Sequence, residues 1–236
     1  MCIRDSNTVA FMVEPIQGEN GINVPPSGYL KFAETLCHRE NILLIADEIQ
    51  VGLGRTGKML CSEHDDVRPD IVVLGKALSG GVYPVSAIVA DRKVLGLFNP
   101  GDHGSTFGGN PLAAAVSREA MRVLVDEKLV ENAAEQGEYL MQRLRRMESP
   151  YVKEVRGKGL LIGLEVTADA GGARRFCEEL AEEGILCKET HKTVVRFAPP
   201  LVITREQTQW LADKVEAVFT RIEERDVAAA GEPVIS

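Results

Sequence analysis

Two short apolar runs, each stopped by polar residues, restrict this 236-residue chain more than any other feature. The first is Leu43-Leu44-Ile45-Ala46, ended by Asp47 and Glu48. The second is Ile71-Val72-Val73-Leu74, ended by Gly75 and Lys76. Unbroken apolar runs of this length read as strands covered on both faces, the kind that parallel sheets contain. A helical pattern precedes the first run. Pro25 and Pro26 open it, Tyr29, Leu30, Ala33, Leu36 and Cys37 share one face, and Asn41 punctuates its end. Val9 to Val13 is an earlier strand-like run and Val85 to Ala90 a later one. Strand, helix, strand is the pattern of an α/β fold with a largely parallel sheet.

Charge and cysteine usage remove several functions. With 27 basic and 35 acidic side chains the net charge is -8, which argues against a nucleic-acid surface. Cys2, Cys37, Cys61, Cys177 and Cys187 are scattered, with no Cys-x-x-Cys pair. They read as reduced core thiols of a cytosol-like compartment, not as a disulfide frame or a metal site. No apolar run approaches a membrane span, and the N-terminus has no signal-peptide core. Entering a strand at Val9 is the pattern of a fragment, and the first six residues look foreign to the domain.

The pattern changes along the second half. A long helical stretch follows Pro111, with an apolar dip at Asp126-Glu127-Lys128 that implies a bend or a boundary. Beyond Pro150 come a strand over Leu160–Val166, a helix carrying Phe176, Cys177 and Leu180, and a short strand over Val194–Phe197. A last helix, capped by Thr204, buries Trp210, Leu211, Val215, Val218, Phe219 and Ile222. This is a small α+β unit, with a frayed tail from Arg225.

Asp47 and Lys76 are the residues with chemical potential. If both runs are parallel strands, both side chains emerge at the carboxyl edge of the sheet, where open α/β sheets bind ligands. A lysine neutralised by burial is a nucleophile toward carbonyls. A carboxylate facing a pyridine nitrogen keeps that nitrogen protonated. Equally, an acid and a lysine at strand ends can be a surface ion pair or a helix cap.

Four motifs occur in order: Val13-Glu14-Pro15-Ile16-Gln17-Gly18-Glu19; Ala46-Asp47-Glu48-Ile49-Gln50-Val51-Gly52-Leu53-Gly54-Arg55-Thr56-Gly57; Gly75-Lys76-Ala77-Leu78-Ser79-Gly80-Gly81; and His103-Gly104-Ser105-Thr106-Phe107-Gly108-Gly109-Asn110-Pro111. Together they resemble the class III aminotransferases, of pyridoxal-phosphate fold type I, from about Val9 to about Phe219. The resemblance implies pyridoxal 5'-phosphate as cofactor, with Lys76 as its Schiff-base lysine and Asp47 as the partner of its ring nitrogen. Ile49 would pack under the ring and Gln50 lie near the phenolic oxygen. Ser105 and Thr106 would contact the phosphate of the other subunit in a homodimer with shared active sites. Arg196 would bind the carboxylate of the oxo-acid co-substrate, and Glu14 would neutralise it when the amino donor binds. A structural salt bridge is the simpler reading of that pair.

Arg196-Phe197-Ala198-Pro199-Pro200-Leu201-Val202-Ile203 is most similar to the ornithine-specific members. That similarity implies transfer of the δ-amino group of L-ornithine to 2-oxoglutarate, giving glutamate 5-semialdehyde and glutamate. Transfer from acetylornithine or 4-aminobutyrate, an aminomutase of the same fold, and a non-catalytic dimerisation remnant stay open. The resemblance also implies that 7–126 is the second half of a large cofactor-binding domain, 127–224 a small α+β domain and 225–236 a tail. On this reading the full-length parent is active, while the 236-residue chain alone is not. The expected compartment is the cytoplasm, or the mitochondrial matrix if a preceding segment carries a transit peptide.

Overall fold

A computed structural model describes residues 7–231. The first six residues, with Cys2, and the last five lie outside the described residues. The chain divides into two compact units. Unit 1 takes the residues up to Gly18 and Val24–Glu131. Unit 2 takes Glu19–Asn23 and the chain from Asn132 onward.

In unit 1 each apolar run becomes a strand: β1 (Ala10–Val13), β2 (Leu43–Asp47), β3 (Ile71–Leu74) and β4 (Ala87–Ala90). They form one sheet in the order β1-β2-β3-β4. β1, β2 and β3 are parallel, and β4 closes the sheet antiparallel to β3. Register sets Ile45 opposite Ile71 and Asp47 opposite Val73. Helix α1 (Tyr29–Arg39) buries Leu30, Ala33 and Cys37, and Leu30 and Cys37 cluster with Leu44 and Val67. Tyr29 and Leu36, expected on that buried face, are 40% and 36% exposed. At 100° per residue they flank the stripe formed by Leu30, Ala33 and Cys37 instead of lying within it.

A short helix α2 (Arg92–Leu95) follows β4. Helix α3 (Pro111–Asp126) begins with proline at its first position, where the missing N–H costs nothing. The Asn110 side chain caps it, accepting from the Ala113 N–H at 2.8 Å. The dip at Asp126-Glu127-Lys128 is a break: Lys128 takes a left-handed backbone (φ 53°) and α4 (Leu129–Arg145) starts anew.

Unit 2 is built on a second, fully antiparallel sheet. Its strands are β5 (Val152–Lys158), β6 (Leu161–Val166), β7 (Lys188–Thr190) and β8 (Val194–Phe197), in the order β5-β6-β8-β7. Helices α5 (Arg174–Glu182) and α6 (Arg205–Gly231) complete it. Phe176 and Phe219 centre the core, with ring centroids 4.3 Å apart, among Leu140, Leu164, Leu180, Val215 and Ile222. Thr204 caps α6 reciprocally with Gln207: the Gln207 N–H donates to Thr204 Oγ1 and the Thr204 N–H to Gln207 Oε1.

Two expectations are corrected here. Trp210 is 46% exposed, because it sits well outside the α6 stripe formed by Leu211, Val215, Val218 and Ile222. The helix also does not fray at Arg225. Arg225 pairs with Glu179, while the Asp226 carboxylate accepts from the Tyr151 hydroxyl at 2.8 Å and from Arg175.

Gly137 on α4 touches the turn before β6: a carbon added there would lie 2.1 Å from the Gly159 carbonyl oxygen. Gly137→Ala therefore costs on the order of 3 kcal/mol, as overpacking against backbone does. Gly104→Ala, where an added carbon meets nothing within 4 Å, changes stability by less than about 0.5 kcal/mol. Urea unfolding of the two variants side by side checks this, and equal midpoints would contradict it.

Candidate active site

Parallel pairing of β2 with β3 brings two chain ends to one edge of the unit 1 sheet. Asp47 is the last residue of β2 and is half-buried. Its Oδ1 accepts from the Ile49 N–H at 3.0 Å, which turns the chain out of the strand. Lys76 begins the 3-10 turn Lys76–Ser79 directly after β3 and Gly75. Its backbone is left-handed (φ 41°), an uncommon state for a residue with a side chain and one that recurs at functional sites. Lys76 is exposed, where the sequence led to an expectation of burial.

Glycines hold the neighbouring side chains in place. A carbon added to Gly75 would come within 3.3 Å of Ile49 Cγ2, so Ile49 packs against the residue preceding Lys76. A carbon added to Gly18 would lie 1.5 Å from Gln50 Oε1, so the Gln50 amide occupies the space a side chain there would need. The Gly18 N–H donates to Glu14 at 3.0 Å. Glu14, Gly18 and Gln50 thus form one cluster at the same end of the sheet.

Ser105 and Thr106 lie in the exposed loop before α3. Ser105 Oγ accepts from the Gly108 N–H at 2.7 Å, which curls the loop. A carbon on Gly108 would strike that hydroxyl at 2.6 Å.

Arg196, on β8, belongs to unit 2. The carboxylate that meets it there is Glu19, at 2.6 Å, where the sequence reading put Glu14. The physical reason is the path of the chain. Glu14 is engaged in its own turn, whereas Glu19 sits in the segment that unit 2 takes from the early chain. Glu19 ends the first motif, yet nothing in that motif marks it as the partner of Arg196. It is an acid in a loop, and its partner is 177 residues away.

Glu48, beside Asp47, does different work. Successive strand residues point to opposite faces. Glu48 is 1% exposed, and its two oxygens accept from the Cys61 and Ser62 N–H groups, both at 2.8 Å. Burial pushes its carboxyl above the usual range, and the two N–H groups partly offset that. It pins the loop after β2 and leaves Asp47 to face the sheet edge.

A pyridine-aldehyde cofactor fits this donor set. The set offers a carboxylate and an amine at adjacent strand ends, an apolar side chain packed against Gly75 between them, and an amide held over Gly18. The fold and the site define an α/β protein with Asp47 and Lys76 at one edge of its parallel strands. The class-III aminotransferase family model matches residues 3–219, and the chain belongs to that family. Ornithine aminotransferase from Halalkalibacterium halodurans is 58% identical over 214 residues, 91% of this chain and 53% of that protein. Ornithine aminotransferase from Toxoplasma gondii, whose crystal structure has partial occupancy of pyridoxal phosphate at the active site, matches with a TM-score of 0.89. It is 51% identical, over 92% of this chain and 51% of its own. Acetylornithine aminotransferase from Elizabethkingia anophelis matches with a TM-score of 0.86 at 46% identity, over 90% of this chain and 56% of its own. The chain spans about half the length of the curated relatives it matches. Among the described residues no helix is long and apolar enough to cross a membrane.

Because its pKa is raised on folding, Glu48 favours the folded state more as it takes up a proton. Its contribution to stability grows as pH falls through the folded pKa toward about 4.3, the unfolded value. Glu48→Gln removes that increment. Denaturation curves across this range should diverge between the variant and the parent, and parallel curves would refute the assignment.

Proposed function

We propose that this chain carries the lysine-bearing part of a pyridoxal-phosphate-dependent transaminase. The enzyme would move the δ-amino group of L-ornithine to 2-oxoglutarate, giving glutamate 5-semialdehyde and glutamate. The observation that carries the reading is the placement of Asp47 and Lys76 at the carboxyl ends of adjacent parallel strands. When bound, pyridoxal phosphate supplies an electron-accepting ring that stabilises charge left by a broken substrate Cα–H or Cδ–H bond.

The chain's own residues do the rest. Asp47 would hold the ring nitrogen protonated, its carboxylate oriented by the Ile49 N–H. Lys76 would hold the aldehyde carbon covalently and, once released, would carry a proton from the substrate carbon to that former aldehyde carbon, on the other side of the transferred nitrogen. Ile49 and Gln50 would fix the ring's plane and its oxygen. The hydroxyls of Ser105 and Thr106 suit phosphate oxygens. We assign them to the phosphate of a partner subunit in a homodimer.

Arg196 would take the carboxylate of 2-oxoglutarate. A guanidinium stays charged, and one only 17% exposed needs an anion at all times. Glu19 would serve as that anion while the amino donor is bound. We keep Glu14 in the site as the residue that orients the turn beneath Gln50. We place 7–126 in the large domain, the chain from 127 through the end of α6 in the small one, and the enzyme in the cytoplasm.

Ornithine as donor is supported by the 58% identity to ornithine aminotransferase and by Arg196–Ile203. The acetylornithine aminotransferase neighbour favours that donor as the second reading. Rates with ornithine, acetylornithine and 4-aminobutyrate on the full-length gene product separate the donors. Lys76→Ala lowers kcat by about three orders of magnitude or more while the fold survives. A variant retaining a tenth of the activity would overturn the role of Lys76.

A further inference from the structure

Register sets four residues in a row across the unit 2 sheet: Arg156 on β5, Gly163 on β6, Arg196 on β8 and Lys188 on β7. Residues directly paired in an antiparallel sheet present their side chains on the same face. The row therefore carries three cations and one gap, and the segment Glu19–Asn23 lies on it. Ile22, fully buried, fills the gap: a carbon on Gly163 would come within 3.0 Å of Ile22 Cβ.

The main chain of the segment is clamped on both sides of that gap. Arg156 donates to the Gly21 carbonyl at 2.7 Å and to the Ile22 carbonyl at 3.0 Å. Arg156 is itself held by Glu165 and by Glu154. Thr190 Oγ1 donates to the Glu19 carbonyl at 2.5 Å. The Glu19 side chain, by contrast, is 60% exposed. Its carboxylate bridges two cations of the row, Oε1 at 2.6 Å from Arg196 and Oε2 at 3.2 Å from Lys188.

We propose that Lys188 is a positioning residue for substrate exchange, a second seat onto which the Glu19 carboxylate moves when an incoming oxo-acid carboxylate takes Arg196. The inference rests on the reading of Arg196 as the carboxylate-binding residue. Two carboxylates competing for one guanidinium repel each other, and a second cation gives each anion its own partner. Because the main chain at Glu19 is clamped, only side-chain torsions have to change. The Arg196 seat is the less exposed and the stronger. The Lys188 seat is 61% exposed and correspondingly weaker, which makes the exchange reversible.

The test is a double-mutant cycle on the full-length gene product with its cofactor, backed by one crystal structure. Lys188→Met raises KM for 2-oxoglutarate about two- to five-fold, the effect of losing one exposed ion pair, with kcat and KM for ornithine little moved. Lys188→Arg restores the original KM. In a Glu19→Gln background the Lys188→Met change adds nothing, because no carboxylate remains to be seated. A structure with glutarate bound shows Glu19 on Lys188 and off Arg196. An equal rise in KM in the Glu19→Gln background, or Glu19 turned to solvent in the glutarate complex, overturns the second seat. Arg196→Gln separates the two levels. If it leaves KM for 2-oxoglutarate unmoved, the functional reading fails and Lys188 falls with it. If it raises KM and Lys188→Met does not, only the second seat fails.

Discussion

The parallel pairing of β2 with β3 is the constraint on which the candidate site of unit 1 depends. Parallel neighbours finish at the same edge, so a residue at the end of one run is set beside a residue at the end of the other. Asp47 and Lys76, far apart along the sequence, are thereby set at one edge of the sheet. The other features at that edge serve this pairing. Glu48 draws the chain after β2 down into the loop at Cys61 and Ser62, Gly75 leaves room for Ile49, and Gly18 leaves room for Gln50.

Unit 2 solves a different problem. An exposed row of like charges across a sheet is repulsive, and Arg156, Arg196 and Lys188 share one face. The repulsion is relieved by acids of the same sheet, Glu154 on β5 and Glu165 on β6, and by groups from the early segment: the Gly21 and Ile22 carbonyls beside Arg156, and Glu19 at the other end. The arrangement leaves one carboxylate shared between two cations. On the proposed reading, that sharing would leave Glu19 a cation to pair with when an oxo-acid carboxylate takes Arg196.

What could be read from the sequence follows from where the physical signal is local. The strands β1, β2, β3 and β8 are apolar runs with abrupt ends, and the family motifs sit on those ends, so the places of Asp47, Lys76 and Arg196 in the fold were legible. Strand β5 was not. Val152–Lys158 alternates with Lys153, Glu154 and Arg156, whose charges find partners only in the folded sheet. Three-residue β7 is too short to show a period. Glu19 was illegible for a related reason, since a glutamate in a glycine-flanked loop has no pattern until its partner is known. Trp210 misled because its size suggests burial, whereas its angle on α6 puts it outside the packed stripe.

The segment Glu19–Asn23 has a consequence for how the molecule is made. Arg156 reaches back 134 and 135 residues to hold the carbonyls of Ile22 and Gly21. These five residues leave the ribosome long before the sheet they lie on exists. Unit 2 therefore cannot finish as an autonomous C-terminal fold. Its face stays open at Gly163 until a piece synthesised near the start of this sequence is threaded onto it, a non-local closure of the kind that slows folding. Arg196, the proposed carboxylate-binding residue, is set in that same surface. Its Glu19 partner comes from 177 residues earlier, so a chain in which that segment is not docked presents Arg196 without that carboxylate.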